Sequence, residues 1–528
     1  MPDAVVIGSG HNGLVAANLL ADEGWEVVVL EAEPSVGGAV KTAELVEPGF
    51  RNDVFSAFYP LAIASPVLRA LDLERHGLTW ERSPVVLAHP GRDGGGAALS
   101  VELEDTASSL EAFRPGDGDG WRRLYALWER VGGDLIEALF TPFPPARAGA
   151  RLISELRGRD LLRFLRFALL PVRRLAHETF DGDGGGWLLA GNTLHTDLTL
   201  DSAGGGLYGW LLCCLGQQHG FPVPRGGAGE LTQALAKRLE SRGGRIECGA
   251  RVREVIVREG RAVGARTEDG TEVDARRAVL ANVGAPSLYL DLIERRHVPS
   301  HVLRDLRHFE WDVSAFKLDW TLDGPVPWQQ EAARSAGTVH VADGMDAMTE
   351  YAAQIRMGRI PARPFLVVGQ YSMVDPTRCP PGKETLWAYT HVPRAARGDA
   401  GGHLSGSWDD REAEHFADRM ENEIEERAPG FRKLVRGRHI ATPRVLEARN
   451  ANLVGGAINN GTAQIHQQLV FRPTPGLGRP ETPIRDLYLA SAAAHPGGGV
   501  HGAPGANAAR AALRSRRLVR RVIARREV

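Results

Sequence analysis

The chain opens on a short, wholly apolar run, "AVVI" at 4–7, then glycines, then "LVAANLLADEG", where apolar residues recur at helical spacing with Val15 and Leu19 one turn apart. An apolar run without alternation marks a buried strand, and the 3.6-residue recurrence marks a helix packed on it. "EVVVLE" supplies a second such strand, ending in Glu31. The pattern predicts strand, tight loop, helix, strand. Similar runs return far downstream: "GELTQALAKRLES" reads as a helix followed by short alternating strands, one spanning Arg251 to Ile256, before "RRAVLANVG" returns to a buried strand ending near Asn282. "DLYLAS" and "NAARAALRS" predict a last strand and helix.

Between these, "FKLDWTL", "FLVVGQYSMVDP" and "TLWAYTHVP" have strand composition, with turn chemistry in "PPGKE", and predict an antiparallel sheet. "LRGRDLLRFLRFALLPVRRLA" at 156–176 sets Arg159, Arg163 and Arg166 along one helical face against leucines and phenylalanines. That pattern suits a helix lying in a bilayer interface or one packing over a substrate channel. The tail "RSRRLVRRVIARREV" is more basic still and reads as a solvated helix or a membrane contact. No run approaches the ~18 apolar residues of a spanning helix.

Glycine spacing narrows the picture. G-x-G-x-x-G occurs at Gly8, Gly10 and Gly13, at Gly204, Gly206 and Gly209, and at Gly497, Gly499 and Gly502. Only the first lies between a predicted strand and helix with an acid about 20 residues on. There Gly8 permits the turn, Gly10 lets backbone N–H groups approach a pyrophosphate, and Gly13 allows close helix–strand packing, with Ser9 and Asn12 in the same loop. Glu31 would accept from ribose hydroxyls and repel a 2'-phosphate. The middle match follows the polar "TLHTDLTLDSA" and is set aside. The last has a strand before and a helix after but no further acid-ended strand. It therefore reads as a second strand–loop–helix unit offering a helix N-terminus to a cofactor held by the first.

Composition adds bounds. A chain of 528 residues with 43% hydrophobic content predicts two joined domains, and a formal charge of −2 gives no reason to expect nucleic acid. Cys213, Cys214, Cys248 and Cys379 have neither metal-ligand nor disulfide spacing, so no metal is expected and a reduced cytosol fits. The start has no basic segment leading an apolar core, so no signal peptide is read.

"AEPSVGG" after Glu31, "FPVPRGGAGELTQAL", "FKLDWTLDGPVPW", "NANLVGGAINNGTAQIHQQLVFRP" and "LYLASAAAHPGGGVHGAPGANAARAAL" follow one another in this order. Together with the first loop they resemble the phytoene desaturase/phytoene dehydrogenase-related flavoproteins of the amine oxidase superfamily, in the branch of pyridine nucleotide-disulfide oxidoreductase domain-containing proteins, from Val5 to about Leu513. The resemblance implies an α/β plus α+β fold: a Rossmann-type, glutathione reductase-like FAD-binding domain (1–85, 220–300 and 480–528) and an antiparallel-sheet and helical substrate domain (86–219 and 301–479). It implies FAD held by the first loop, Glu31, Ala32, Gly37, Gly38 and Ala39, with Val252 near the adenine and Asn282 and Ser491 at strand ends. Gly498, Gly499 and Val500 would lie beside the isoalloxazine. Relatives often carry glycine where this chain has Ser491.

The reaction so implied is carbon–carbon desaturation of a hydrophobic, polyene- or isoprenoid-like substrate, with hydride passing to flavin N5 and oxygen or a quinone as final acceptor. His195, Asp197 and His495 are the candidates for proton handling or orientation, and Lys317 faces either the site or water. A saturase or isomerase, an amine oxidase and a prenyl-binding protein without redox chemistry stay open as alternatives.

Overall fold

The computed structural model describes residues 1–524, and side chains as far as Ser515; the tail's membrane reading lies largely beyond those side chains. Five strands form a parallel sheet in the order Leu487–Leu489, Ala278–Ala281, Ala4–Ile7, Val27–Glu31 and Arg245–Cys248. Its three central members are buried at every position, as their unbroken apolar runs predict. The helix His11–Asp22 covers one face between Gly229–Ser241 and the last helix, Ala503–Ala524. A three-stranded antiparallel sheet, Val252–Arg258, Arg261–Thr267 and Glu272–Asp274, flanks the other side. The first strand thus pairs with strands 274 and 23 residues away, and the sheet draws on segments as far apart as Ala4–Ile7 and Leu487–Leu489.

A second, seven-stranded sheet runs in the order Val435–Ala441, Ser314–Leu322, Glu384–Val392, Leu366–Gln370, Ala336–Val341, Val85–Pro90 and Gly96–Ser100. The expectation of an antiparallel sheet needs correction: Ala336–Val341 and Val85–Pro90 pair in parallel, so the sheet is mixed. The two strands of the parallel pair are separated by some 245 residues, including the helical block 103–219, a connection far longer than a hairpin turn. "PPGKE" does connect neighbouring strands, but a turn of helix, Tyr371–Val374, precedes it.

The apolar helix Gly205–His219 lies inside this helical block and buries Trp210, Cys213 and Cys214 completely. No strand precedes Gly204, in keeping with setting that glycine match aside. The basic amphipathic helix forms as Arg159–Leu169 and does two things at once. Phe167 packs edge-on against Trp210 with ring centroids 5.0 Å apart, while Leu162, Leu165 and Leu169 remain 68%, 52% and 55% exposed on the other side. Among the described residues no helix is long and apolar enough to cross a membrane.

Candidate active site

The first glycine loop is built by close backbone approach. Gly8 sits at φ +89°, and a Cβ on Gly13 would stand 2.1 Å from Gly8 O, so the helix can press on the strand only with hydrogen at that position. Gly10 and Gly37 form a backbone bridge, Gly37 N–H donates to Ser9 O at 3.2 Å, and a Cβ on Gly38 would lie 2.9 Å from Gly10 Cα. Two glycine turns therefore touch and expose bare main chain at the N-terminus of His11–Asp22, a cradle suited to a pyrophosphate. Glu31 Oε2 accepts from Ser9 N–H at 2.7 Å and Ser9 Oγ at 2.5 Å, and Glu31 Oε1 accepts from Glu33 N–H at 2.9 Å. The carboxylate is thereby fixed at the cavity wall with lone pairs left for a ribose.

That wall belongs to one cavity of about 810 Å³. Gly8, Gly10, Asn12, Glu31, Ala32, Gly38 and Ala39 face it, as do Val252, Asn282, Gly498, Gly499 and Val500. Ser9, Gly13 and Gly37 stand behind these residues and shape the loop instead. Two expected contacts are not made. Ser491 does not reach the cavity, since its Oγ accepts from Ala493 N–H at 3.2 Å to close a turn. His495 also points away, its Nε2 3.2 Å from Thr141 O, and burial pushes its pKa down to about 4.

The late loop completes the cradle. Gly497 and Gly499 both take φ +111°, and a Cβ on Gly505 would stand 1.9 Å from Asn12 O, so the first and last helices meet at their N-terminal turns. Two helix N-termini share one site, which favours negative charge there. Burial keeps the histidines around it neutral. Ala503 N–H donates to His501 Nδ1 at 3.2 Å, leaving His501 Nε2–H for Gly498 O at 3.3 Å, and burial pushes this imidazole down to about 3. His11, which lines the cavity, is pushed to about 4 by burial, and its Nε2 has no partner. Asn12 Oδ1, Asn459 Nδ2 and Asn460 Oδ1 on the same wall are also without partners. Bare glycine backbone, an oriented acid and unpartnered buried polar atoms fit a dinucleotide such as FAD.

Beyond the glycines the cavity runs to the mixed sheet and the helical block. Lys317, Trp387, Tyr389, Val367 and Thr338 face it from four strands, while Leu207, Tyr208 and Leu211 face it from Gly205–His219. Trp387 and Tyr389, two residues apart on one strand, stack with centroids 5.6 Å apart and planes within 7°. Lys317 faces the site; its Nζ is 2.5 Å from Asp319 Oδ2, and burial lowers its pKa against the opposing pull of that carboxylate.

Of the remaining catalytic candidates, His195 lies on the wall, and its Nε2 is 2.8 Å from Nε2 of the fully buried His340. Burial pushes His195 down to about 4. Asp197 is two residues away but turned from the cavity. Its carboxylate accepts from Thr462 Oγ1 at 2.5 Å and Ala463 N–H at 2.7 Å, so it fastens a loop and is removed from the catalytic set. Sequence reasoning missed His11, His340, Asn459 and Asn460. "INNG" carries the signal of a turn, and nothing in its spacing reveals that both asparagines line a cavity.

A family model for flavin containing amine oxidoreductase matches residues 98–405, and one for an NAD(P)-binding Rossmann-like domain matches 6–71. Mouse pyridine nucleotide-disulfide oxidoreductase domain-containing protein 2 is 29% identical, covering 97% of this chain and 93% of its own. Phytoene desaturase (lycopene-forming) of Pseudescherichia vulneris is 26% identical, covering 97% and 99%. Among solved structures, an oxidoreductase from Methanosarcina mazei superposes with a TM-score of 0.62 at 15% identity, covering 97% of this chain and 99% of its own, a likeness of fold.

Proposed function

Because the chain belongs to the flavin containing amine oxidoreductase family and is an FAD-dependent oxidoreductase, we propose that it desaturates a carbon–carbon bond in a hydrophobic, polyene- or isoprenoid-like substrate. FAD supplies a two-electron hydride acceptor. Gly10, Gly38 and the first helix N-terminus would hold its pyrophosphate, Glu31 its ribose, and Gly498 to Val500 its ring. The observation that carries the reading is the far end of the cavity, whose walls are leucines from two helices and an aromatic strand. Trp387 and Tyr389 stack on one another with centroids 5.6 Å apart, too close for an ammonium group to enter between them, and Asp319 is taken by Lys317, so an amine finds neither an open cage nor a free acid there. Leucine walls exclude water and align a flexible chain by shape.

The test is anaerobic incubation of the holoenzyme with a panel of polyenes and a panel of amines, read by mass spectrometry and flavin bleaching. Products two hydrogens lighter from polyenes are expected; turnover confined to amines overturns the reading. Oxygen or a quinone is the proposed final acceptor, since the described chain holds one dinucleotide unit.

We further propose that Arg159–Leu169 rests on an anionic lipid surface. The exposed Leu162, Leu165 and Leu169 share a helix with three arginines, and its inner face packs on the helix whose Leu207 and Leu211 line the cavity. Replacing all three leucines with Gln is expected to reduce co-sedimentation with phosphatidylglycerol vesicles about tenfold or more. Unchanged co-sedimentation at matched flavin content would remove the proposal.

A further inference from the structure

One stretch of the cavity wall is polar and unusually well braced. Asn459 and Asn460 sit on a loop held from one side by the buried Asp312, whose carboxylate accepts from Ile458 N–H and Asn459 N–H at 2.8 Å and Gly461 N–H at 3.1 Å. From the other side the fully buried guanidinium of Arg472 donates to Asn459 O at 2.8 Å, Thr462 O at 3.0 Å and Ala492 O at 2.7 Å. Asn460 is itself at φ +56°, a left-handed conformation that persists where surroundings impose it. Two buried charged groups thus fix one short loop, and its residues Asn459 and Asn460 line the cavity beside His195. Asp197 fastens the neighbouring 462–463 segment to the turn that carries His195.

His195 adds a donor. Nδ1 of His340 is buried without a partner, and an orphaned N–H in that position is less tolerable than an orphaned lone pair. His340 therefore carries its proton on Nε2 and donates to His195 Nε2 across their 2.8 Å contact. His195 must then keep its own proton on Nδ1, the ring nitrogen without a protein partner. The wall so presents the His195 N–H inside a cavity that is otherwise mostly apolar.

We propose that this patch recognises an oxygen atom, a carbonyl or hydroxyl, carried by the otherwise hydrophobic substrate, with His340 as the positioning residue that sets His195 as a donor. The inference rests on the desaturase reading for the nature of the remaining substrate, but its test needs no turnover. The holoenzyme is titrated with β-ionone and with the matched hydrocarbon in which a methylene replaces the carbonyl oxygen, followed by the flavin difference spectrum and by calorimetry. Wild type is expected to prefer the ketone about five- to tenfold, the scale of one net hydrogen bond. His195→Phe should erase most of that preference while leaving hydrocarbon affinity and flavin content as they were. His340→Phe should weaken it, and His340→Gln, which can still donate, should restore it. In ¹⁵N-histidine spectra of the unsubstituted holoenzyme His195 should show the Nδ1–H tautomer, a readout independent of whether any variant folds. Equal affinities in wild type, a preference that survives His195→Phe, or an Nε2–H tautomer overturns the proposal. Absence of desaturation with the ketone preference intact would instead count against the reaction alone.

Discussion

Gly13→Val is expected to yield protein without flavin and largely unable to fold. The added Cβ alone would stand 2.1 Å from Gly8 O, a backbone atom fixed by the strand behind it, and 3.0 Å from Asn282 Nδ2. Relief requires lifting the helix His11–Asp22 off a sheet whose central strands are wholly buried, which opens the core and moves Gly10 and Asn12 out of the cradle. Losses of this kind run to several kcal/mol, a large part of the stability of a typical domain. Gly133→Ala is the contrasting case: its helical position has nothing within 4 Å of a new Cβ, and stability should rise by roughly 0.5–1 kcal/mol. The measurements are soluble yield, bound flavin per chain and thermal midpoint. A soluble Gly13→Val protein with full flavin content would show that the close approach is not needed.

Arg378→Met should be nearly as damaging, at about 3–5 kcal/mol, through charge and not through volume. Arg378 is fully buried and pairs with Asp53 at 3.0 and 3.1 Å and with Asp375 at 3.0 Å. Both carboxylates also accept from backbone N–H groups, Ala228 and Gly226, at 2.7 Å. The cluster thus joins the segment after the second glycine turn, the entry to helix Gly229–Ser241 and the mixed sheet. Methionine fills similar space but strands two buried carboxylates. Chemical denaturation of wild type, Arg378→Met and the double variant Arg378→Met/Asp53→Asn separates the contributions. Partial recovery in the double variant is expected, and equal stability of wild type and the single variant would refute the assignment.

Local order was the legible part of the sequence. The two wholly apolar strands, the intervening glycines and Glu31 fall within 31 residues, so their spacing alone carries strand, loop, helix and acid. The late loop could be read because the same vocabulary reappears there. The parallel pairing of Ala336–Val341 with Val85–Pro90 could not, since strand direction depends on how the chain crosses the sheet and leaves no periodic trace. The same holds for the site. Asp197 looked catalytic because an acid near a histidine is a familiar combination, yet its oxygens are spent on a loop 265 residues later. His340 and Asn459 gain meaning only from partners distant in sequence.

The meeting of Gly505 with Asn12 also fixes an order of events during synthesis. The nucleotide loop is made well before the neighbour of its strand, Ala278–Ala281, which comes some 270 residues later, and that strand's own outer partner, Leu487–Leu489, comes later still. Until then the opening strand has one edge unpaired and the cradle lacks its second helix end, a long exposure for an apolar segment in a growing chain. The binding site therefore closes only once the segment that carries Gly505 has been made, 493 residues after the Asn12 it packs against.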